Sequence, residues 1–454
     1  MTAPPSRRSS THLYDADVLK RLLVVIAHGV DVAPISPQFL SIKSPLFLSS
    51  ILTGFRLLAA CRWSKNVAAQ SSASTPCAVA GGSRSLEVGP AARKAMASKQ
   101  TAPIMNQGQG ETSYANNSSI QNAEQNKMKS LIEGVIVELC SNTDTLEPRK
   151  IVIADLGCST GPNALALVSI AVKAIHAHCL QFQQPSPEVS VLLNDLPEND
   201  FNTVVKSLVT LRQSNDPVVV TGITPGSFYE RLFTSESVHL VCSSNSLHWL
   251  SKAPEDLKRN LIPAYDIDEH SRRERLPIVL EAYAKQYRKD FTLFLELRAK
   301  ELVSGGRMII SLLGRRSDII VTKFPFLPEI VAQILCVMVS EGVIDKEKFD
   351  SFYGLMHEPS LEELREIIQE EGSFSIREMR EHDPRVDINK TLSTPGIFAG
   401  FLGSLFEPVI VQHFGYVMDE FVRTVQRRYI LEGSLQEERA KCPYAMLVVS
   451  LAKA

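Results

Sequence analysis

The chain has 454 residues, 44% of them hydrophobic, and 48 basic against 50 acidic side chains give a net charge of -2. It can therefore bury a large core, and the charge balance excludes any general attraction to nucleic acid or an anionic membrane. The eight cysteines contain no C-x-x-C pair, which argues against a zinc site or a disulfide framework and makes the reducing cytosol the expected location.

Residues 1–95 differ in character from the rest. Pro4, Pro5, Pro34, Pro37 and Pro45 break any long element, SSASTPCAVAGGSRS has the composition of a disordered linker, and Lys43 and Arg56 interrupt the one apolar run. The excess of arginine and serine over acids is that of a transit peptide, which would direct the chain to a plastid, although Asp15, Asp17 and Asp31 weigh against it. Tyr114 and Ser118, four residues apart, share one helical face that Gln121 extends by a turn.

The run IVIADLGCSTGPN, Ile151 to Asn163, is the most telling. A strand over 151–154 ends at Asp155, Gly157 and Gly161 allow close approach of the backbone to a ligand, and Pro162 suits the first position of the helix ALALVSIAVKAIHAHCL. The form D-L-G-x-S-x-G-P-N is not a dinucleotide G-x-G-x-x-G and points to S-adenosylmethionine, which has no phosphate to cradle. Cys158 is either a cofactor contact or a small residue filling a tight turn. A second strand over 191–194 delivers Asp195 and Leu196, where an acidic side chain accepts both ribose hydroxyls or else caps the next helix. A third strand, 218–221, leads to Ser227, Phe228 and Tyr229, whose hydroxyl and rings suit adenine. Strands at 238–242, 307–312 and 445–451 alternate with helical pattern, giving an α/β chain with a mostly parallel sheet. In SLEELREIIQEEG, Ser360 and Glu363 form a capping box.

These residues carry a family resemblance. MNQGQGETSYANNSSIQ, ADLGCSTGPN, LNDLPENDFN, PGSFYERLF, SSNSLHWLS and GGRMIISLLGRR, in this order, resemble the signatures of the plant SABATH methyltransferases, from Met105 to the C-terminus. That group methylates the carboxyl groups of salicylate, benzoate, anthranilate, jasmonate and indole-acetate, or the nitrogens of xanthines. The resemblance implies a class I S-adenosylmethionine-dependent methyltransferase fold, Rossmann-like, in residues 96–454. Its sheet core is expected near 105–254, 304–316 and 440–454, with a helical cap near 255–303 and 317–439. It also implies a homodimer and a start near MASKQTAPIMNQG, so that residues 1–95 would be an alternative start or an artefact of gene prediction.

The resemblance further places Tyr114, Ser118, Cys158, Asn163 and Leu196 with Asp155, Gly157, Asp195, Ser227 and Phe228 at the cofactor, and Gln121 and the Trp249 indole on the substrate carboxylate. Taken singly, Gln121 is a surface glutamine and Trp249 a core aromatic. His248 is read as shaping the substrate pocket, or as a core histidine, because a carboxylate has no proton to remove. Relative to salicylate methyltransferases the pocket departs at Asn106, Asn245, Pro328, His357 and Leu402, so the acid stays open. A magnesium ion is implied near a D-x-F-N segment, here Asp350, Ser351, Phe352 and Tyr353, with Asn260 loosely upstream. One carboxylate and one carbonyl make a poor octahedral site. Carboxyl methylation thus stands first, with xanthine-like N-methylation and a non-catalytic cofactor-binding partner subunit as alternatives.

A chain begun at Met96 is expected to keep the full chain's melting temperature and turnover, since a segment of this composition buries too little to stabilise a core. Differential scanning calorimetry and a methyl-transfer assay on both lengths check this; loss of soluble protein on truncation would contradict it.

Overall fold

The computed structural model describes residues 104–141, 150–212, 217–316, 326–384, 388, 391–431 and 444–454. The extension 1–95 lies outside the described residues. All the described residues belong to one compact unit, Gly89–Ala454.

In chain order the elements are α1 (Tyr114–Asn117), α2 (Ser119–Lys127), α3 (Lys129–Ser141), β1 (Lys150–Leu156), α4 (Ala166–Phe182), β2 (Glu188–Asp195), α5 (Phe201–Leu208), β3 (Val219–Pro225) and β4 (Val238–Ser244). There follow α6 (Glu255–Arg259), α7 (Glu269–Glu301), β5 (Leu302–Arg315), α8 (Phe326–Ser340), α9 (Lys346–Asp350), α10 (Leu361–Glu371), β6 (Phe374–His382), α11 (Pro395–Phe414), α12 (Met418–Leu431) and β7 (Tyr444–Lys453).

The strands form one seven-stranded sheet in the order β3-β2-β1-β4-β5-β7-β6. β1 to β5 are parallel, and β7 runs antiparallel to both neighbours. Alternation along each strand feeds two cores, because successive side chains point to opposite faces. On one face Ile151, Ile153, Val191, Leu240, Cys242 and Ile309 pack with Ile132 and Ile136 of α3 and Val168 and Ile175 of α4. On the other, Val152, Ala154, Val241, Met308 and Ile310 pack with Phe291, Phe294 and Leu295 of α7 and with the cap. In the cap, α12 packs against α8 and α11.

Among the described residues, two helices are long and apolar enough to cross a membrane by length and composition, Pro162–Phe182 and Pro395–Phe414. The first lays Leu167, Val168, Ala171 and Ile175 against the sheet, and the second is a core element of the cap.

Two expectations need correction. β6 falls within residues 317–439, read as helical cap; its sequence SIREMREH has no apolar run because it is the outermost strand, buried only in part. The C-terminal half of α7, within the expected cap segment 255–303, packs directly on the sheet as the crossover from β4 to β5. The switch point between β1 and β4, where strand order reverses, sets the place where such sheets bind ligands, outside the carboxyl ends of the strands.

Candidate active site

A cleft of about 1120 Å³, its open mouth included, lies at those strand ends. One end is lined by Gly157, Ser159, Asp195, Leu196, Ser227, Phe228 and Ser244, from the last residues of β2 and β4 and the loops after β1, β2 and β3. The other is lined by Gln121, Asn245, His248 and Trp249 with Met105, Ile120, Leu313, Leu327, Ile388, Leu392, Phe401, Leu405 and Met446. Tyr114 also lines the cleft.

The turn after β1 is held by close packing. Gly157 has φ +76°, and a Cβ there would stand 2.2 Å from Ser246 Oγ, so only glycine fits. Gly161, φ +82°, meets Ala115 in the same way at 2.9 Å. The Gly157 and Cys158 amides both donate to Asn194 O at 2.9 Å, while Asn194 Nδ2 donates to Thr224 O and Gly226 O, both at 2.8 Å. The fully buried Asn194 therefore ties three strand ends together, a role that its place one residue before Asp195 gave no pattern to reveal.

Asp195 does not cap the next helix. Asp200 does that, its carboxylate accepting from Thr203 N at 3.2 Å, whereas Asp195 accepts from Ser159 N at 2.6 Å and from Leu196 N at 2.8 Å. A carboxylate has about four acceptor positions, so two remain to face the cleft. Burial pushes the Asp195 carboxyl up to about 6, against those two amide bonds. Burial pushes Asp155 further, to about 8, with the charge of Asp195 adding to it. Asp155 Oδ2 and Ser159 Oγ are buried without a protein partner. The Cys158 thiol is likewise held well above its ordinary range by burial, then by Asp195 and Asp155, and stays neutral.

The N-terminal helix is broken where a continuous face was expected. α1 ends at Ser118, whose carbonyl accepts from Asn163 Nδ2 at 2.8 Å, and Asn163 Oδ1 accepts from Asn122 at 2.9 Å. Tyr114 and Gln121 still reach the cleft, while Ser118 and Asn163 lie behind its wall as the joint between α2 and the β1 turn. Asp155 and Cys158 also stand behind the wall.

His248 is buried, and its Nδ1 accepts from Leu313 N at 3.3 Å. That bond uses the Nδ1 lone pair and leaves the proton of the neutral ring on Nε2. Burial pushes the ring down to about 3, so it stays neutral and offers a donor rather than a base. The Tyr229 hydroxyl donates to Trp249 O at 2.7 Å and fixes the segment that carries both rings. Gln121 Oε1 is buried and without a protein partner.

Four expected pocket residues stand behind the wall, three of them displaced by a neighbour. Asn106 Nδ2 bonds Thr112 and Glu407 Oε2 at 2.8 Å, and Met105 takes the wall. Pro328 packs towards Gly354 while Leu327 lines the cleft. Leu402 is fully buried in the cap, and Phe401 and Leu405, one helical turn apart on α11, face the cavity. His357 Nε2 pairs with Glu363 at 3.0 Å, and its amide donates to His248 O at 2.9 Å. At Asn106, Pro328 and Leu402 an offset of one or three residues along a helix or loop takes the side chain away from the cavity, which no pattern in a single sequence resolves.

The Asp350 carboxylate is bonded to Lys346 Nζ at 2.7 and 2.9 Å, and Phe352 is buried against Tyr265 and Phe414. No group of three or more His, Cys, Asp or Glu capable of holding a metal ion occurs among the described residues. These residues do not fit the implied magnesium ion.

A parallel sheet with one reversed strand and a ligand-sized cleft at its switch point is the fold of the S-adenosylmethionine-dependent methyltransferases. The family model described as SAM dependent carboxyl methyltransferase matches residues 100–454, and the chain belongs to that family. It is 35% identical over 375 residues to anthranilate O-methyltransferase 1 of Zea mays, covering 76% of this chain and 96% of the relative. It is 40% identical over 293 residues to jasmonate O-methyltransferase of Arabidopsis thaliana, covering 60% and 75%. An inactive anthranilate O-methyltransferase 1 of Zea mays is also 35% identical, so overall identity does not separate active from inactive relatives. The solved structure of loganic acid methyltransferase with SAH superposes with a TM-score of 0.67 at 27% identity, covering 77% of this chain and 98% of that one.

Replacing Asp195 by alanine is expected to weaken S-adenosylmethionine binding by roughly 2–4 kcal/mol, two charge-assisted bonds' worth. Asp200→Ala should instead lower stability by about 1 kcal/mol, a lost helix cap, and leave affinity alone. Titration calorimetry and thermal melts on both variants check the contrast; equal affinities would remove Asp195 from the site.

Proposed function

We propose that this chain transfers the S-adenosylmethionine methyl group to the carboxylate of a small acid with an apolar body, and that Gln121 and Trp249 orient the reacting oxygen. The supporting observation is the acid end of the cleft, where the described lining residues bring the neutral polar side chains Gln121, Asn245, Ser246, His248 and Trp249 and no lysine or arginine. Neutral donors hold a carboxylate without sequestering its charge in an ion pair, so its oxygen stays nucleophilic. The cofactor supplies an already activated methyl on a sulfonium; the oxygen forms the new bond to carbon as sulfur leaves with the electron pair, giving a methyl ester. No proton moves, so the protein's contribution is alignment and exclusion of water.

Asp195 is read as the ribose acceptor, Ser227 and Phe228 as the adenine contacts, and Tyr114 and Gly157 as walls of the cofactor end. His248 would donate Nε2–H to the second carboxylate oxygen. Its committed Nδ1 and depressed pKa count against a general base, and so against N-methylation of a xanthine. The body of the acid meets Met105, Ile120, Leu313, Leu327, Leu405 and Met446, flexible aliphatic side chains that suit a bulky acid of the jasmonate kind ahead of a planar benzoate, salicylate or anthranilate. We also propose a cytosolic homodimer without nucleic-acid or membrane partners, which light scattering and fractionation test.

Gln121→Ala and Trp249→Phe should each lower turnover on the preferred acid tenfold or more, with S-adenosylmethionine affinity changed less than about twofold, because they misplace the oxygen and not the cofactor. Steady-state kinetics, calorimetry and mass identification of a methyl ester check this. An N-methyl product, or full turnover in both variants, would sink the reading.

A further inference from the structure

The loop between β3 and β4 is irregular from Gly226 to Phe233, yet Tyr229 and Phe233 are buried and Ser227 and Phe228 line the cleft. A buried irregular segment has no ladder partners, so its amides and carbonyls must find others. Four of them find partners in one ion pair at the end of α7. Arg298 and Glu301 are both fully buried, with Arg298 Nε 2.8 Å from Glu301 Oε2. Arg298 Nη1 donates to Phe228 O at 2.8 Å and Nη2 to Glu230 O at 2.9 Å. Glu301 Oε1 accepts from Leu232 N at 2.7 Å and Phe233 N at 3.1 Å, and lies 3.3 Å from Arg231 Nε. The Arg298 guanidinium also sits 5.3 Å from the centre of the Phe294 ring, against which the Phe228 ring packs edge-on at 6.4 Å.

We propose that Arg298 and Glu301 are positioning residues for the cofactor: together they pre-form the loop that presents Ser227 and Phe228 to adenine. Neither touches the cleft. Charges buried this deeply are costly and are often replaceable by apolar side chains without loss of stability. Apolar side chains, however, supply none of the four backbone bonds made here, and those bonds fall on the residues flanking the cofactor wall. Lysine is a poor substitute, because a single ammonium lacks the planar fork that reaches two carbonyls while lying on a ring.

The inference rests on the reading that this loop faces the cofactor, and the test separates the two. Arg298→Lys is expected to raise the Kd for S-adenosylhomocysteine by calorimetry, and the KM for S-adenosylmethionine, at least tenfold. The KM for the acid should stay within twofold and kcat, with both substrates saturating, within threefold. Phe421→Leu, a change at a fully buried cap residue outside the cleft, serves as a comparator for lost stability and should leave the cofactor constants unchanged. If Phe228→Ala leaves cofactor affinity intact, the reading of the loop falls; if Phe228→Ala weakens it and Arg298→Lys does not, the inference alone falls. Should Arg298→Lys fail to fold, Glu301→Gln, which keeps an acceptor for Leu232 and Phe233 but loses the charge opposing Arg298, carries the same test and overturns the inference if affinity is unchanged. In the wild-type enzyme without cofactor, the Leu232 and Phe233 amides should exchange with deuterium as slowly as those of β4. Fast exchange there would show that the loop is not pre-formed, and would overturn the inference without any variant.

Discussion

The cleft depends on a single knot of hydrogen bonds where β1, β2 and β3 end. Asn194 takes both amides of the turn after β1 and reaches across to two carbonyls of the β3 exit, while Asp195 takes the amide of Ser159. Three chain segments that would otherwise diverge are thus held at fixed separation by the main-chain carbonyl and side-chain amide of Asn194 and the carboxylate of Asp195. Each bond alone is modest, on the order of 1 kcal/mol, but leaving any of these buried groups unpaired costs about 1–3 kcal/mol, so the arrangement holds as a unit. Gly157 belongs to it by exclusion: the space a side chain would need is filled by Ser246, which itself donates to Gly157 O at 3.2 Å.

From that fixed end the chemistry is arranged by what is withheld. Asp195 at the cleft and Asp155 behind its wall are both pushed towards the neutral form by burial, a state that a cationic ligand in the cleft would reverse. The acid end offers neutral donors, and His248 is pinned in one tautomer by the amide of Leu313 and supported through its own carbonyl by His357. A displacement reaction between a carboxylate and a sulfonium needs no acid or base, and the site supplies none that titrates near neutrality at its acid end.

Sequence patterns carried the sheet far better than the walls. Strands β1 to β5 announce themselves as apolar runs leading to glycine, aspartate or asparagine, because a parallel strand is buried on both faces, and antiparallel β7 does so as the apolar run AMLVVSLA. β6 escaped for the opposite reason, being a charged edge strand inside a region of helical pattern. The cofactor end was legible because close backbone approach demands glycine and a ribose demands an acid, which are constraints on residue type. The acid end was legible at Gln121, His248 and Trp249 but not at Met105, Leu327, Phe401 and Leu405, since any apolar side chain meets a wall's requirement and only rotation about a helix decides which does. No pattern in the sequence sets Arg298 and Glu301 apart from the other charged residues of α7; their burial is a tertiary fact.

The central claim is that positioning by neutral donors, without a titrating base, carries the reaction. The pH dependence of kcat between about 5.5 and 8, with both substrates saturating, tests it most directly. Titrations of Asp155 and Asp195 in the free enzyme then act on the cofactor's KM and not on kcat. The account predicts a flat profile, because His248 is neutral throughout that range. A limb titrating between 6 and 7 that disappears in His248→Asn would contradict it, and would make His248 the base.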